Sequence, residues 1–194
     1  MNVSFETLPL HPGSGDIDHL CALLRDAVEG GASVGFMLPV RDVEMREYWQ
    51  DVFADGRNGS RLILAARDSA GCIVGSVQLA LAAKPNSRHR AELQKLLVLR
   101  RHRRRGLGRG LIDAAETSAR SRGRTLIVLD TSSTGDAIGM YERCGYIRAG
   151  MIPRYARDPD GPLIDTVIYY KELKGADRPT MARELEPRST NGES

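Results

Sequence analysis

The chain changes period at Gly106. Before it, RLILAARD (61–68), CIVGSVQLALA (72–82) and AELQKLLVL (91–99) read as three strands of a meander, the first two joined through the turn residues Asp68, Ser69, Ala70 and Gly71. After it, Leu107, Leu111, Ala114, Ala115 and Ser118 fall on one helical face that runs up to Gly123. The junction is RRHRRRGLGRGLI (100–112), with six arginines and three glycines. A strand, a basic glycine turn and a helix make an anion site. The first helical turn leaves N–H groups unpaired at the positive end of the helix dipole, glycines admit a phosphate to the backbone, and arginines add paired donors.

The rest of the chain alternates between the two periods. Residues 2–9 alternate as a first strand, and GSGD offers Ser14 or Asp16 as the cap of a helix through CALLRDAVEG that Gly30 and Gly31 end. The loop GASVGFMLPV (31–40) leads to a second helix over about Val43 to Phe53; its Phe36, Met37 and Leu38 follow no period and are either buried or binding. LIVL (126–129) is a continuous apolar run, as expected of a strand covered on both faces. A short helix carries Ala137, Met140, Tyr141 and Cys144 on one face and stops at Gly145. The turn DPDG (158–161) precedes a closing strand, LIDTVIYYKEL (163–173). Residues 174–194 are polar and aromatic-free, which predicts a disordered tail behind one α/β domain over 1–173.

Charge narrows the choice of anion. The 28 basic residues face 25 acidic ones, a net charge of +3, so the positive charge is local and a general polyanion binder is disfavoured. The arginine run also has no Phe, Tyr or Trp on which bases would stack, and no nucleic-acid partner is expected. The Rossmann and P-loop glycine patterns fit poorly. Cys21, Cys72 and Cys144 lack CxxC spacing, and His11, His19, His89 and His102 lack metal-ligand spacing, so no metal is proposed. No segment reaches the roughly 20 apolar residues that span a bilayer, and a cytoplasmic protein with no membrane partner is expected.

Arg103-Arg104-Arg105-Gly106-Leu107-Gly108 does fit one pattern, R-x-x-G-x-G at a strand-to-helix junction. With the preceding LQKLLVL, the strand ending in Asp130 and the helix holding Tyr141 before CGY, it resembles the GCN5-related N-acetyltransferases over about residues 3–173. GASVGFMLP, RAELQKLLVL, GLGRGLI, LDT and PRYARDPDG...IYYKEL resemble the tabtoxin-resistance type in particular. The resemblance implies a mixed, mostly antiparallel sheet with splayed middle strands and about four helices. It implies acetyl-CoA as cosubstrate, its pyrophosphate held by Arg103, Arg104, Arg105, Gly106, Leu107, Gly108 and Arg109, with Leu96, Leu97 and Val98 beside its arm. The family's frequent Asn near the fourth helix is replaced by Thr134, so no Asn contact is carried over.

Acetyl transfer needs a neutral amine, a stabilised oxyanion and a protonated leaving thiolate. Glu92 lies four residues before Leu96, about 13 Å at ~3.3 Å per residue, which suggests a relayed proton. Asp130 follows LIVL at a strand's C-terminal end, where α/β proteins place sites. The resemblance makes both carboxylates general bases; the structural alternatives are an ion pair of Glu92 with Arg90 or Lys95 and a helix-cap role for Asp130. Tyr141 is the general-acid candidate, with a packed ring as its alternative. A backbone N–H of Leu97 or Val98, exposed at a bulge, is expected to face the oxyanion. For the acceptor, the resemblance implies that Phe36, Met37 and Leu38, with Arg154 and Tyr155 in the loop before the closing strand, rim a pocket for a small amine, amino-acid-like or an antibiotic or toxin. A monomer or homodimer is expected.

Overall fold

The alternating runs of the sequence assemble into one seven-stranded sheet, ordered β1-β2-β3-β4-β5-β7-β6 in the computed structural model, which describes residues 2–135 and 137–173. Its strands are β1 (Val3–Thr7), β2 (Arg61–Asp68), β3 (Ile73–Leu81), β4 (Arg90–Val98), β5 (Leu126–Ser132), β6 (Ile147–Arg157) and β7 (Leu163–Glu172). Among the described residues four α-helices accompany them: α1 (Ser14–Glu29), α2 (Asp42–Arg57), α3 (Leu107–Arg120) and α4 (Ile138–Arg143). Every neighbouring pair is antiparallel except β4 and β5, which run parallel. The mixed, mostly antiparallel α/β sheet expected from the sequence is thus borne out.

Helices cover both faces of the β2–β4 meander. Gln78 of β3 meets Tyr48 of α2, whereas the space above Gly75, three residues earlier and so on the opposite face, is filled by Leu111 of α3. The core follows: Leu20, Leu23 and Leu24 of α1 and Met45, Trp49 and Phe53 of α2 are buried on one side, and Leu111, Ile112 and Ala115 of α3 on the other. Each of the buried Leu, Ile, Met and Phe side chains contributes roughly 1.5–3 kcal/mol by leaving water. That anchors the sheet ends from which the candidate site hangs.

Several local expectations are corrected. The first residue of α1 is Ser14 and its cap is Gly13, because Asp16 is engaged by Arg67 at 2.9 Å. The second helix outruns Val43–Phe53 at both ends. Only Ile127 and Leu129 of LIVL are fully buried; Val128 faces the half-open side of the sheet, so β5 is covered on one face. Arg154 and Tyr155 do not lie in a loop. They belong to β6, a strand exposed along nearly its whole length, within an irregular stretch between Ile152 and Ala156. The tail expected over 174–194 lies outside the described residues.

Candidate active site

The arginine-glycine segment begins where β4 ends. Leu99 N–H still pairs with Val74 at 3.0 Å, and a short 3-10 turn over Arg100–His102 follows. Arg100 ties this turn to α1: its backbone N–H and Nε donate to the Asp26 carboxylate at 2.7 and 2.9 Å. Arg104 at φ 58 and Gly106 at φ 81 both take the left-handed conformation, and the chain reverses into α3. Gly106 suits that turn because it has no Cβ to oppose it. The first bond of the helix runs from Gly110 N–H to Gly106 at 3.0 Å, so the amides of Leu107, Gly108 and Arg109 have no acceptor within it, and among the described residues no side chain caps them. Arg103, Arg104, Arg105 and Arg109 are exposed around this end. Free amides, a helix dipole and guanidinium groups suit a pyrophosphate. Leu107 is 6% exposed, so only its backbone is available to a ligand. Gly108 has a second constraint: a Cβ there would come 2.7 Å from Met140 Sδ of α4.

The sheet opens beside this helix end. Parallel pairing of β4 with β5 lasts only from Arg90↔Leu126 to Glu92↔Val128. On its other side β4 bulges against β3, since Gln78↔Gln94 is followed by Ser76↔Leu97, and Lys95 takes φ 48 in the extra residue. The irregular residues are therefore Lys95 and Leu96, with Leu97 and Val98 already back in register. Past Glu92 the β5-facing edge of β4, which includes Leu96, Leu97 and Val98, has lost its strand partner. That edge can hydrogen-bond an extended, amide-bearing arm.

Glu92, Gln94, Gln78 and Arg61 share the α2 side of the sheet by register, and Asp130 stands two residues beyond Val128, the partner of Glu92. Glu92 makes no ion pair with Arg90 or Lys95; its Oε1 accepts from Gln94 Nε2 at 2.7 Å. Gln94 Oε1 in turn accepts from Arg61 at 2.7 Å, as does Gln78 Oε1, while Arg61 also pairs with Asp55 at 3.3 Å. Asp130 is no helix cap. Its Oδ2 accepts from Thr166 Oγ1 at 3.0 Å, from a hydroxyl that is itself buried. Tyr141 is 5% exposed, packed edge-on to Tyr146 with ring centroids 5.8 Å apart. Burial first, then the nearby charges of Asp130 and Cys144, push its hydroxyl well above the ordinary tyrosine range, so it stays protonated at any working pH.

The two segments expected to rim the acceptor do meet. Leu38 N–H donates to the Pro159 carbonyl at 2.9 Å, and Ser33 Oγ donates to the Arg157 carbonyl at 2.9 Å. Phe36 packs edge-on against Tyr48 at 5.4 Å, in keeping with a covering role, whereas Met37 and Leu38 are each 45% exposed. Arg154 is exposed, its backbone N–H bonded to Asp165 at 2.8 Å, and Tyr155 is exposed beside it. Among the described residues no cluster of His, Cys, Asp and Glu is placed to hold a metal, and no helix is long and apolar enough to cross a membrane. Sequence reasoning missed Arg61, Gln78, Gln94 and Tyr48, and considered Lys95 only as an ion-pair partner. Polar residues inside otherwise apolar strands were the available signal.

The family model of acetyltransferases of the GNAT family matches residues 23–146. An uncharacterized N-acetyltransferase of the hisH-hisA intergenic region of Azospirillum brasilense is 33% identical over 123 residues, 62% of this chain and 71% of that protein. Among solved structures, an N-acetyltransferase from Staphylococcus aureus Mu50 superposes with a TM-score of 0.74 at 17% identity, covering 90% of this chain and 100% of the other. A phosphinothricin acetyltransferase from Sinorhizobium meliloti, in complex with AcCoA, does so with 0.72 at 15% identity, covering 89% of each. With the helix end and the opened sheet that such a cosubstrate requires, the chain belongs to the GNAT acetyltransferase family and is an acetyl-CoA-dependent acyltransferase.

Proposed function

We propose that the protein acetylates the amine of a small molecule by direct transfer from acetyl-CoA within a ternary complex. The observation that carries this reading is the position of Glu92 and Asp130 at the mouth of the β4–β5 split, each carboxylate oriented by one hydrogen bond, from Gln94 and from Thr166. Carboxylates so held receive the proton that an ammonium must lose before it attacks, directly or through water. The amides of the α3 turn with Arg103, Arg104, Arg105 and Arg109 hold the pyrophosphate. The unpaired edge of β4 at Leu96, Leu97 and Val98 holds the arm and directs an N–H at the oxygen that gathers charge. Tyr141 is the general-acid candidate: burial keeps its hydroxyl protonated and able to donate a hydrogen bond to the departing thiolate, but also makes the proton harder to release, so its main service is to stabilise the sulfur as charge develops there.

The acceptor enters from the side where residues 33–38 meet β6. Phe36, Met37, Leu38, Arg154 and Tyr155 give that rim apolar walls and a positive charge, the character of a small-molecule pocket more than of a groove for an extended peptide. The likeness to the tabtoxin-resistance type rests on the sequence segments named above and favours an amino-acid-like acceptor, a toxin or antibiotic included. The test is thiol release from acetyl-CoA with amino acids, aminoglycosides, polyamines and histone-like peptides. Turnover on small amines supports the reading. Robust turnover confined to peptides overturns it.

A further inference from the structure

The face that carries Glu92 and Asp130 also carries two cations, and they are occupied differently. Arg61 is engaged by Asp55, Gln78 and Gln94. Lys95 has no hydrogen bond or ion pair among the described residues. Alternation along β4 would send it to the side opposite Glu92 and Gln94, but the bulge turns it back, at the cost of a left-handed φ of 48 that a lysine seldom adopts. Its ammonium ends beneath the α1–α2 loop, 3.7 Å from where a Cβ on Gly35 would stand. Burial is the main influence on it and holds it below the ordinary lysine range, partly opposed by the negative charge of Asp130 and then Glu92, with Arg61 acting in the same sense as burial.

We propose that Lys95 is the anchor for a carboxylate on the acceptor, so that the substrate is an amino acid or a close analogue whose amine faces Glu92 and Asp130 while its acid group meets the Lys95 ammonium under Gly35. This deepens the acetyltransfer reading above and rests on it for the direction of the amine. An α-amino acid bears both charged groups on one carbon, and this face sets two carboxylates beside one unpaired cation, the complementary arrangement. Lysine, a point charge on a flexible stem, imposes no bidentate geometry and accepts carboxylates on differing frames. Gly35 keeps the ammonium uncovered, since any side chain there would lie in van der Waals contact with it. The competing cation, Arg154, is exposed on β6, where water and salt screen it; a half-buried ammonium holds a carboxylate more strongly.

The test compares glycine, alanine, methionine and glutamate with their α-amides, in wild type and in Lys95→Gln, Lys95→Arg and Arg154→Ala. Thiol release gives kcat/KM, and calorimetry on the CoA-loaded protein gives binding. Amidation also lowers the basicity of the amine, but that effect cancels in the change of the acid-to-amide ratio from one variant to the next. For at least one pair the ratio should fall about 10-fold or more in Lys95→Gln, the loss of a charge-assisted contact, and recover in part in Lys95→Arg. A melting curve for each variant separates this from misfolding, and recovery in Lys95→Arg cannot come from a merely structural role. An unchanged ratio in Lys95→Gln, a collapse in Arg154→Ala instead, or wild type that binds no acid better than its amide overturns the proposal. The two readings fail separately: Lys95-dependent binding of acids without transfer removes the acetyltransfer reading alone, and transfer indifferent to Lys95 removes only the anchor.

Discussion

The two ends of the site are built in different ways. The proposed cosubstrate end is one continuous stretch, residues 96–109, and would work largely through backbone: free amides, a left-handed glycine and a helix dipole. The acceptor end is gathered from the α1–α2 loop, α2, β2, β3, β4, β5, β6 and β7, and works through side chains. A binding surface made of contiguous backbone tolerates changes in side-chain identity and serves a ligand that stays the same. One made of dispersed side chains can be altered a residue at a time, which suits an acceptor that differs between relatives.

Substitution at the two ends should therefore separate cosubstrate affinity from chemistry. The largest effect is expected at the acceptor end, where Glu92→Gln, and to a lesser degree Asp130→Asn, should lower kcat by about 10²–10⁴-fold with little change in acetyl-CoA affinity. The deficit should shrink at high pH as more of the amine arrives neutral; stopped-flow thiol detection across pH reads both, and a flat profile in both variants removes the general base. At the cosubstrate end Arg103→Ala should raise the acetyl-CoA Kd by about 10- to 100-fold while leaving the pH profile in place, measured by calorimetry. Gly108→Val tests this end less cleanly, because its side chain meets Met140 before any ligand.

Lys95→Met should sharpen the contrast by improving stability while harming acid-bearing acceptors. A lysine whose folded pKa lies below its unfolded value costs stability below the folded pKa, and the cost is relieved as pH rises toward the ordinary lysine value. The variant's melting temperature should therefore exceed that of wild type at neutral pH and converge with it in alkali, as scanning calorimetry would record. Thr166→Val, which removes one hydrogen bond from exposed Asp130, should have the smallest effect, a few-fold in kcat on the order of 1 kcal/mol, with binding at the cosubstrate end unmoved.

The same contrast explains what could be read from the sequence. The α3 junction was legible because its signal is local: a glycine-arginine turn where the hydrophobic period changes. The strand positions of Glu92 and Asp130 were legible because each sits at a fixed offset from such a landmark. β6 escaped because it is exposed on both sides and interrupted near Gly150 and Pro153, so no alternation marks it. Lys95 escaped as an acceptor-face residue because a one-residue bulge reverses facing, and nothing in QKLLV announces where the register slips. The Arg61–Gln94–Glu92 chain escaped because its members come from two strands whose pairing must be known first.

Three residue pairs are all that join β4 to β5. The protein thus harbours inside its own fold the kind of bare strand margin that other proteins cover or charge to avoid self-association. A ligand whose amides lie along that margin is a chaperone of the native state as well as a reactant. Protein stripped of acetyl-CoA should clump sooner on storage than protein loaded with it.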